Sequence, residues 1–381
     1  MRKLISAATA TLLLAACTGA ANQDAEPADT PSVASVSADR SALPKQATDP
    51  YYQSAEAAVT GRMADDFAPS AKNVILFVGD GMGISTITAA RIYAGQTQGA
   101  DGESYKLAME TLPYAALSRT YSHDYQVADS ASTATALVSG VKTRSRTLGL
   151  RSGVSLGNCA SQQGQGTDTL FELAEAKGLA TGIVSTARLT HATPASTYAE
   201  SAHRDWENDT AFAGDAGSNC IDIARQMIEW PAGDGFEIAM GGGRQEFTTA
   251  TMTDVEYEGR TGRRLDTRDL TAAWAAKSDQ HQVIFDQAGF DATDFDSDAR
   301  ILGLFEPSHM QFELDRADDP AGEPSLAELT HAAITRLSRS EQGYVLMIEG
   351  GRVDHAHHGG NAARALADTT ALDAAVAMAL D

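Results

Sequence analysis

Positive charge is scarce in this 381-residue chain: 29 lysines and arginines face 51 aspartates and glutamates, a net charge of −22. A field of that sign repels polyanions, which argues against nucleic acid and anionic membrane surfaces as partners. An anionic substrate would meet the same repulsion, so local cations, metal ions above all, would have to overcome it. Cysteine is scarce as well, three residues in all. After the first twenty residues no apolar run is long enough to cross a membrane, and there are no internal repeats. What remains is a chain with 43% hydrophobic residues, enough for one large α/β domain or two ordinary ones.

The chain opens on a leader. In "MRKLISAATATLLLAACTGA", Arg2 and Lys3 precede an apolar stretch from Leu4 to Ala16 that is too short to span as a mature helix and is flanked like a signal peptide. Its end, "LAAC" (Leu14 to Cys17), resembles the bacterial lipoprotein box, in which the cysteine is lipidated; the alternative is plain secretion with cleavage a few residues later. Residues 1–17 are thus expected to be a lipoprotein-type signal peptide with Cys17 as the lipidation site. Thr18 after it favours outer-membrane sorting in a cell with two membranes. The expected location is outside the cytoplasm, lipid-anchored in the cell envelope, with the anchor as the only membrane contact. Residues 18–69, rich in Ala, Ser, Asp, Pro and Thr, read as a disordered tether with one short helix near Gln53 to Asp66. Residues 70–381 carry the ordered domain. In an oxidising compartment its two cysteines, Cys159 and Cys220, are expected to be bonded rather than free.

The chemistry gathers after predicted strands. Asn73 to Val78 is a continuous apolar run, the mark of a central parallel strand, and it ends in "GDGMG" before a helical pattern from Ile84. Functional groups of open α/β sheets collect at the carboxyl ends of strands, which is where Asp80 falls. The run is not a Walker loop, because no Lys-Ser/Thr pair follows the glycines. Tyr344 to Ile348 reads as a second buried strand with Glu349 at its end, followed by Asp354, His355, His357 and His358. Asp354 and His358 are four apart and share one face of a helical turn, half of a zinc site. Gly182 to Ser185 is a short strand; His191 and Thr193 follow it in a loop, with Arg204 in "AHRDW". Imidazole and hydroxyl two residues apart suit a hydrated magnesium site. "DSASTATAL" (Asp129 to Leu137) begins a helix of small residues with Ser130 at its start, where free N–H groups and the helix dipole favour a phosphate. "AMGGGR" (Ala239 to Arg244) is a strand followed by a turn. Carboxylates, a serine, histidines and one arginine together point to metal-assisted phosphoryl transfer through a serine nucleophile.

From Lys72 to its last residue the chain closely resembles the alkaline phosphatase family. "DSASTATA" resembles the family's nucleophile motif, and "GDGMG", "HATPASTYA", "GLFEPSHM" and "EGGRVDHAHH" are family-like in order and spacing. The resemblance implies an α/β fold, a three-layer sandwich around a mostly parallel central sheet. It implies hydrolysis of phosphate monoesters through a phosphoserine on Ser130, with two zinc ions and one magnesium. Asp80 would bridge magnesium and the second zinc, which Ser130 meets; Thr193 and Glu349 would complete the magnesium ligands with His191 beside them. Asp354 and His358 would bind the first zinc, and Arg204, oriented by Asp129, would clamp the phosphate oxygens. The positions of His191 and His355 are closer to the animal-type pattern, and Cys159 and Cys220 match a disulfide of those relatives. The same relatives carry a calcium site, for which Glu256 and Asp266 look like two ligands, although Ser218 stands where another acid is expected. Relatives are often homodimers.

The inventory is short of the family's second Asp-His pair and of a distant third histidine, and no histidine follows His358. Asn361 to Asp381 reads as an amphipathic helix without an ending signal. The expectation is therefore a chain cut inside a helix, a central sheet incomplete at the C-terminus with a hydrophobic flank exposed, and weak zinc binding and slow turnover by these 381 residues alone. Rival readings are a phosphodiesterase or sulfatase of the same superfamily, and a non-catalytic phosphate- or metal-binding lipoprotein. Ser130 is followed by "ASTA", not by the x-P-x-R that a sulfatase needs.

Overall fold

The computed structural model describes residues 44–63, 71–212 and 220–381. The leader, Cys17, most of the expected tether and Ser218 lie outside the described residues.

Six strands form one sheet: β1 (Val74–Gly79), β2 (Ala180–Arg188), β3 (Ile238–Gly242), β4 (His281–Ile284), β5 (Arg300–Leu304) and β6 (Tyr344–Gly350), in the order β1-β6-β2-β3-β5-β4. Every pairing is parallel, not merely most of them. β6 is buried along its whole length between β1 and β2, which is why "YVLMIEG" is nearly continuous in apolar residues. β1 is the outer strand on its side and is only half-buried.

Alternate residues of each strand enter opposite layers. Ile183, Ala239, Leu302, Val345 and Met347 join a core with Phe171, Phe236 and Trp274 on one face. Val184, Met240, Ile301, Leu346 and Ile348 join another, with Leu329, Leu337 and Leu372, on the other face. Two cores on one sheet make the expected three layers. The second face is covered by the helices Leu326–Leu337 and Ala362–Leu380. The first of these starts on a capping box: the Ser325 hydroxyl accepts from the Glu328 N–H, and the Glu328 carboxylate accepts from the Ser325 N–H at 2.8 Å. Asn361 caps the second by accepting from the Arg364 N–H at 3.1 Å.

Before β1, the helix expected near Gln53 spans Pro50–Met63. The residues leading into it are docked: Gln46 is buried, and its side-chain amide donates to the carbonyls of Ser139 and Asp168. Cys159 and Cys220 form a disulfide with a Cα separation of 5.8 Å across 61 residues.

Candidate active site

Strand register sets the site. Glu349 lies beside Val78 on one side and Ser185 on the other, so Asp80 emerges one residue beyond the neighbouring strand end. The loop after β1 turns at Gly81, whose φ of 65° only glycine adopts easily. A Cβ there would lie 2.5 Å from Asp354 Oδ1. Glycine thus lets the Asp80 loop close on the helix Arg352–His358 that carries Asp354.

Across from it stands the helix Ser130–Ser139. Its buried residues are Ala131, Ser132, Ala134, Thr135, Val138 and Ser139, the first four small enough for close backbone approach at the helix start, and Gly140 ends it in the left-handed region at φ 74°. Asp129 is the N-cap, accepting from the Ala131 and Ser132 N–H groups at 3.3 Å. The same carboxylate accepts from the Ser132 hydroxyl (2.8 Å), the Arg146 N–H (2.9 Å) and Arg204 Nη1 (3.1 Å). Burial alone would raise Asp129, but the Arg146, Ser132 and Arg204 contacts outweigh it and hold the carboxyl below its ordinary value. Ser130, the first helical residue, donates its hydroxyl to Asp80 Oδ2 at 2.9 Å and Oδ1 at 3.1 Å. Arg204 Nη2 donates to His191 Nε2 at 2.9 Å. Sequence positions 80, 129, 130, 191 and 204 therefore meet in one connected network.

Glu349 is fully buried. Its Oε2 accepts from the Ser185 hydroxyl, and Thr193 lies beside it. Oε1 has no partner. Burial first, then the nearby Asp80 charge, pushes Glu349 up to about 8. Asp80 is pushed up to about 6 by burial and by Asp354. Two buried carboxylates, Asp80 and Glu349, the second with an orphaned buried oxygen, stand close to Asp354 and form a donor set that a divalent cation would satisfy. Asp354 and His358 do share a helix face, with Nε2 3.3 Å from Oδ2 and the imidazole largely exposed.

The structure adds a residue that the sequence reading did not assign. His309, from the "GLFEPSHM" segment, joins His191 and His355, with ring centroids 5.1 and 4.1 Å away. Each ring meets an arginine: His309 Nε2 faces Arg188 Nη1 at 2.6 Å and His355 Nδ1 faces Arg352 Nη1 at 3.2 Å. Burial and these guanidiniums keep all three imidazoles neutral, with His355 lowered to about 3. The family-like segment "GLFEPSHM" contains it, but no spacing within that segment ties the histidine to the others, and it is the fold that brings it to His191 and His355.

The calcium ligands need correcting. Glu256 does not join Asp266; its carboxylate lies with those of Glu306 and Asp319, their oxygens within 4.8 Å of one another. Asp266 is taken by two arginines, Arg264 at 2.8 Å and Arg268 at 2.9 Å. Arg264 is itself fully buried and needs that charge.

The alkaline phosphatase family profile matches residues 71–381. A tissue-nonspecific alkaline phosphatase of Gallus gallus is 42% identical over 355 residues, covering 89% of this chain and 67% of that protein. A membrane-bound alkaline phosphatase of Bombyx mori is 41% identical, covering 84% of this chain and 59% of that protein. Among solved structures, an alkaline phosphatase of Thermus thermophilus superposes with a TM-score of 0.63 at 32% identity, over 79% of this chain and 54% of that one. The chain spans about three fifths to two thirds of the length of the curated relatives it matches.

Proposed function

The chain belongs to the alkaline phosphatase family, and from that premise we propose that it hydrolyses phosphate monoesters with Ser130 as the nucleophile. The seating of Ser130 carries this reading. Its hydroxyl donates to Asp80, at the start of a helix whose dipole favours negative charge on Oγ. Arg204, braced by Asp129, presents a planar guanidinium beside it, suited to two non-bridging phosphate oxygens at once.

The donor sets support a reading with magnesium and zinc. Asp80, Thr193 and Glu349 offer hard oxygens for magnesium, and the orphaned Glu349 oxygen favours a cation there. Asp354 and His358 offer the carboxylate-imidazole pair of a zinc site, and Asp80 with Ser130 offers oxygens for a second zinc. When bound, such ions supply Lewis-acid stabilisation of the serine alkoxide and the leaving oxygen. The protein's own part is to hold Ser130 on Asp80, to brace Arg204 on Asp129, and to keep His191 neutral against the Arg204 guanidinium. Glu256, Glu306 and Asp319 fit a separate structural cation of calcium type. We further infer from the leader and Cys17 that the protein is exported and lipid-anchored, with phosphate monoesters met outside the cytoplasm.

The test is to trap the covalent intermediate. Incubation with a ³²P-labelled monoester, acid quench and peptide mapping should find label on Ser130 and none in Ser130→Ala. Label elsewhere, or a Ser130→Ala variant that turns over like the parent, would overturn the reading.

A further inference from the structure

Arg146 adjoins this site without belonging to it, and its backbone is held from both sides. Its N–H donates to Asp129 Oδ1 at 2.9 Å, and its carbonyl accepts from the Arg204 N–H at 2.8 Å. The residue is thereby fixed between the two groups that flank Ser130. It sits at φ 67°, and among the described residues only Thr267 shares a positive φ without being glycine. An arginine in the left-handed region is disfavoured against glycine or asparagine, and the two backbone bonds hold it there.

That side chain borders an open cavity of about 570 Å³, large enough for a sugar- or amino-acid-sized group. Arg144, Ser145, Ser155, Tyr125, Leu156 and one carboxylate, Asp124, also line it. The guanidinium of Arg146 is paired with Asp205 at 2.6 Å, but both side chains are about half exposed, 47% and 59%. Pairs that exposed contribute little and exchange readily for a better anion. Arg144 reaches Asp124 only at 3.8 Å, its Nε donates to the Ser152 carbonyl at 2.9 Å, and its side chain is 41% exposed. In a chain of net charge −22, two guanidiniums lining one cavity, one of them on a residue bonded through its backbone to Asp129 and Arg204, are local cations that an anionic ligand requires.

We propose that Arg146, assisted by Arg144, selects phosphate esters whose leaving group carries a second anionic group, a carboxylate or another phosphate. This rests on the phosphate-site reading above. The ester phosphate meets Ser130 and Arg204, and the second anion displaces Asp205 from Arg146 at the cavity mouth.

Binding by isothermal titration calorimetry tests this with a matched pair of non-hydrolysable probes, 3-phosphonopropionate and butylphosphonate. The parent protein should bind 3-phosphonopropionate about tenfold more tightly, the gain of one charge-assisted contact. Arg146→Asn keeps the backbone bonds and tolerates the left-handed conformation. In the Arg144→Gln/Arg146→Asn protein the preference should fall below about twofold while butylphosphonate binding is unchanged. Equal binding of the two probes by the parent, or a preference that survives in the double variant, overturns the inference alone. A variant that loses both probes alike also overturns it, because the arginines would then be structural. Binding of neither probe by the parent sinks the phosphate-site reading, and this inference with it.

Discussion

Asp129 is the residue on which capping and anion binding converge, and substituting it separates the two. Its two oxygens take the Ala131 and Ser132 N–H groups, the Ser132 and Ser145 hydroxyls, the Arg146 N–H and Arg204 Nη1. Asp129→Ala removes the N-cap, a loss of about 1 kcal/mol. It also strips the hydrogen-bonded carboxylate from Arg204, whose side chain is only 17% exposed and whose other carboxylate, Asp205, lies 4.0 Å away, adding about 2 kcal/mol. Asp129→Asn keeps one acceptor oxygen for the cap but turns an amide towards guanidinium or backbone donors, so about 1.5 kcal/mol is expected. Urea unfolding should therefore rank Asp129→Ala roughly twice as destabilised as Asp129→Asn. Phosphate-ester turnover should not follow that ranking. Both variants release Arg204, and losing a charge-assisted contact of about 1.5–3 kcal/mol lowers kcat/KM by about 10- to 100-fold in each. An Asp129→Asn protein with parental kcat/KM would refute the bracing of Arg204. An Asp129→Ala protein as stable as the parent would refute the capping role.

Gly81→Ala places a methyl 2.5 Å from Asp354 Oδ1 and forces φ 65° on alanine; equilibrium dialysis should show weaker Zn²⁺ binding, and urea unfolding a loss of about 1–2 kcal/mol. Burial raises Glu175 to about 7 from an ordinary 4.5, so across that window the unfolded chain loses the proton first and stability falls as pH rises. Glu175→Gln should flatten this slope between pH 5 and 7 in urea midpoints, and an unchanged slope would exclude Glu175 as its source. Ca²⁺ should raise the melting temperature of the parent but not of Glu306→Gln, because the three-carboxylate cluster loses one charge. Reducing the Cys159–Cys220 bond, which closes a 61-residue span, should cost up to about 4 kcal/mol, read by urea unfolding with and without reductant.

What the sequence made legible were features whose cause is local. Asp80 and Glu349 could be found because a buried parallel strand writes itself as an apolar run, and the residue after the run is where ligands bind. Asp354 and His358 could be paired because helical spacing is fixed at four. Ser130 stood out because small residues after an acid make a poor core stripe but a good anion-facing helix start. What was missed turns on which partners the fold brings together. Asp266 resembled a calcium ligand by its place in the chain, yet the buried Arg264 two residues earlier claims it, and the carboxylates that do gather come from three separate loops. His309 reaches His355 only because β5 and β6 deliver their following loops to the same end of the sheet. Nothing in "KTRSRT" marks one arginine above the other, and it is the bond from its N–H to Asp129 and to its carbonyl from Arg204 that sets Arg146 beside Ser130. A site read from strand ends and helix spacing therefore yields the groups that do chemistry, while the groups that choose the substrate emerge only once separate loops are brought together.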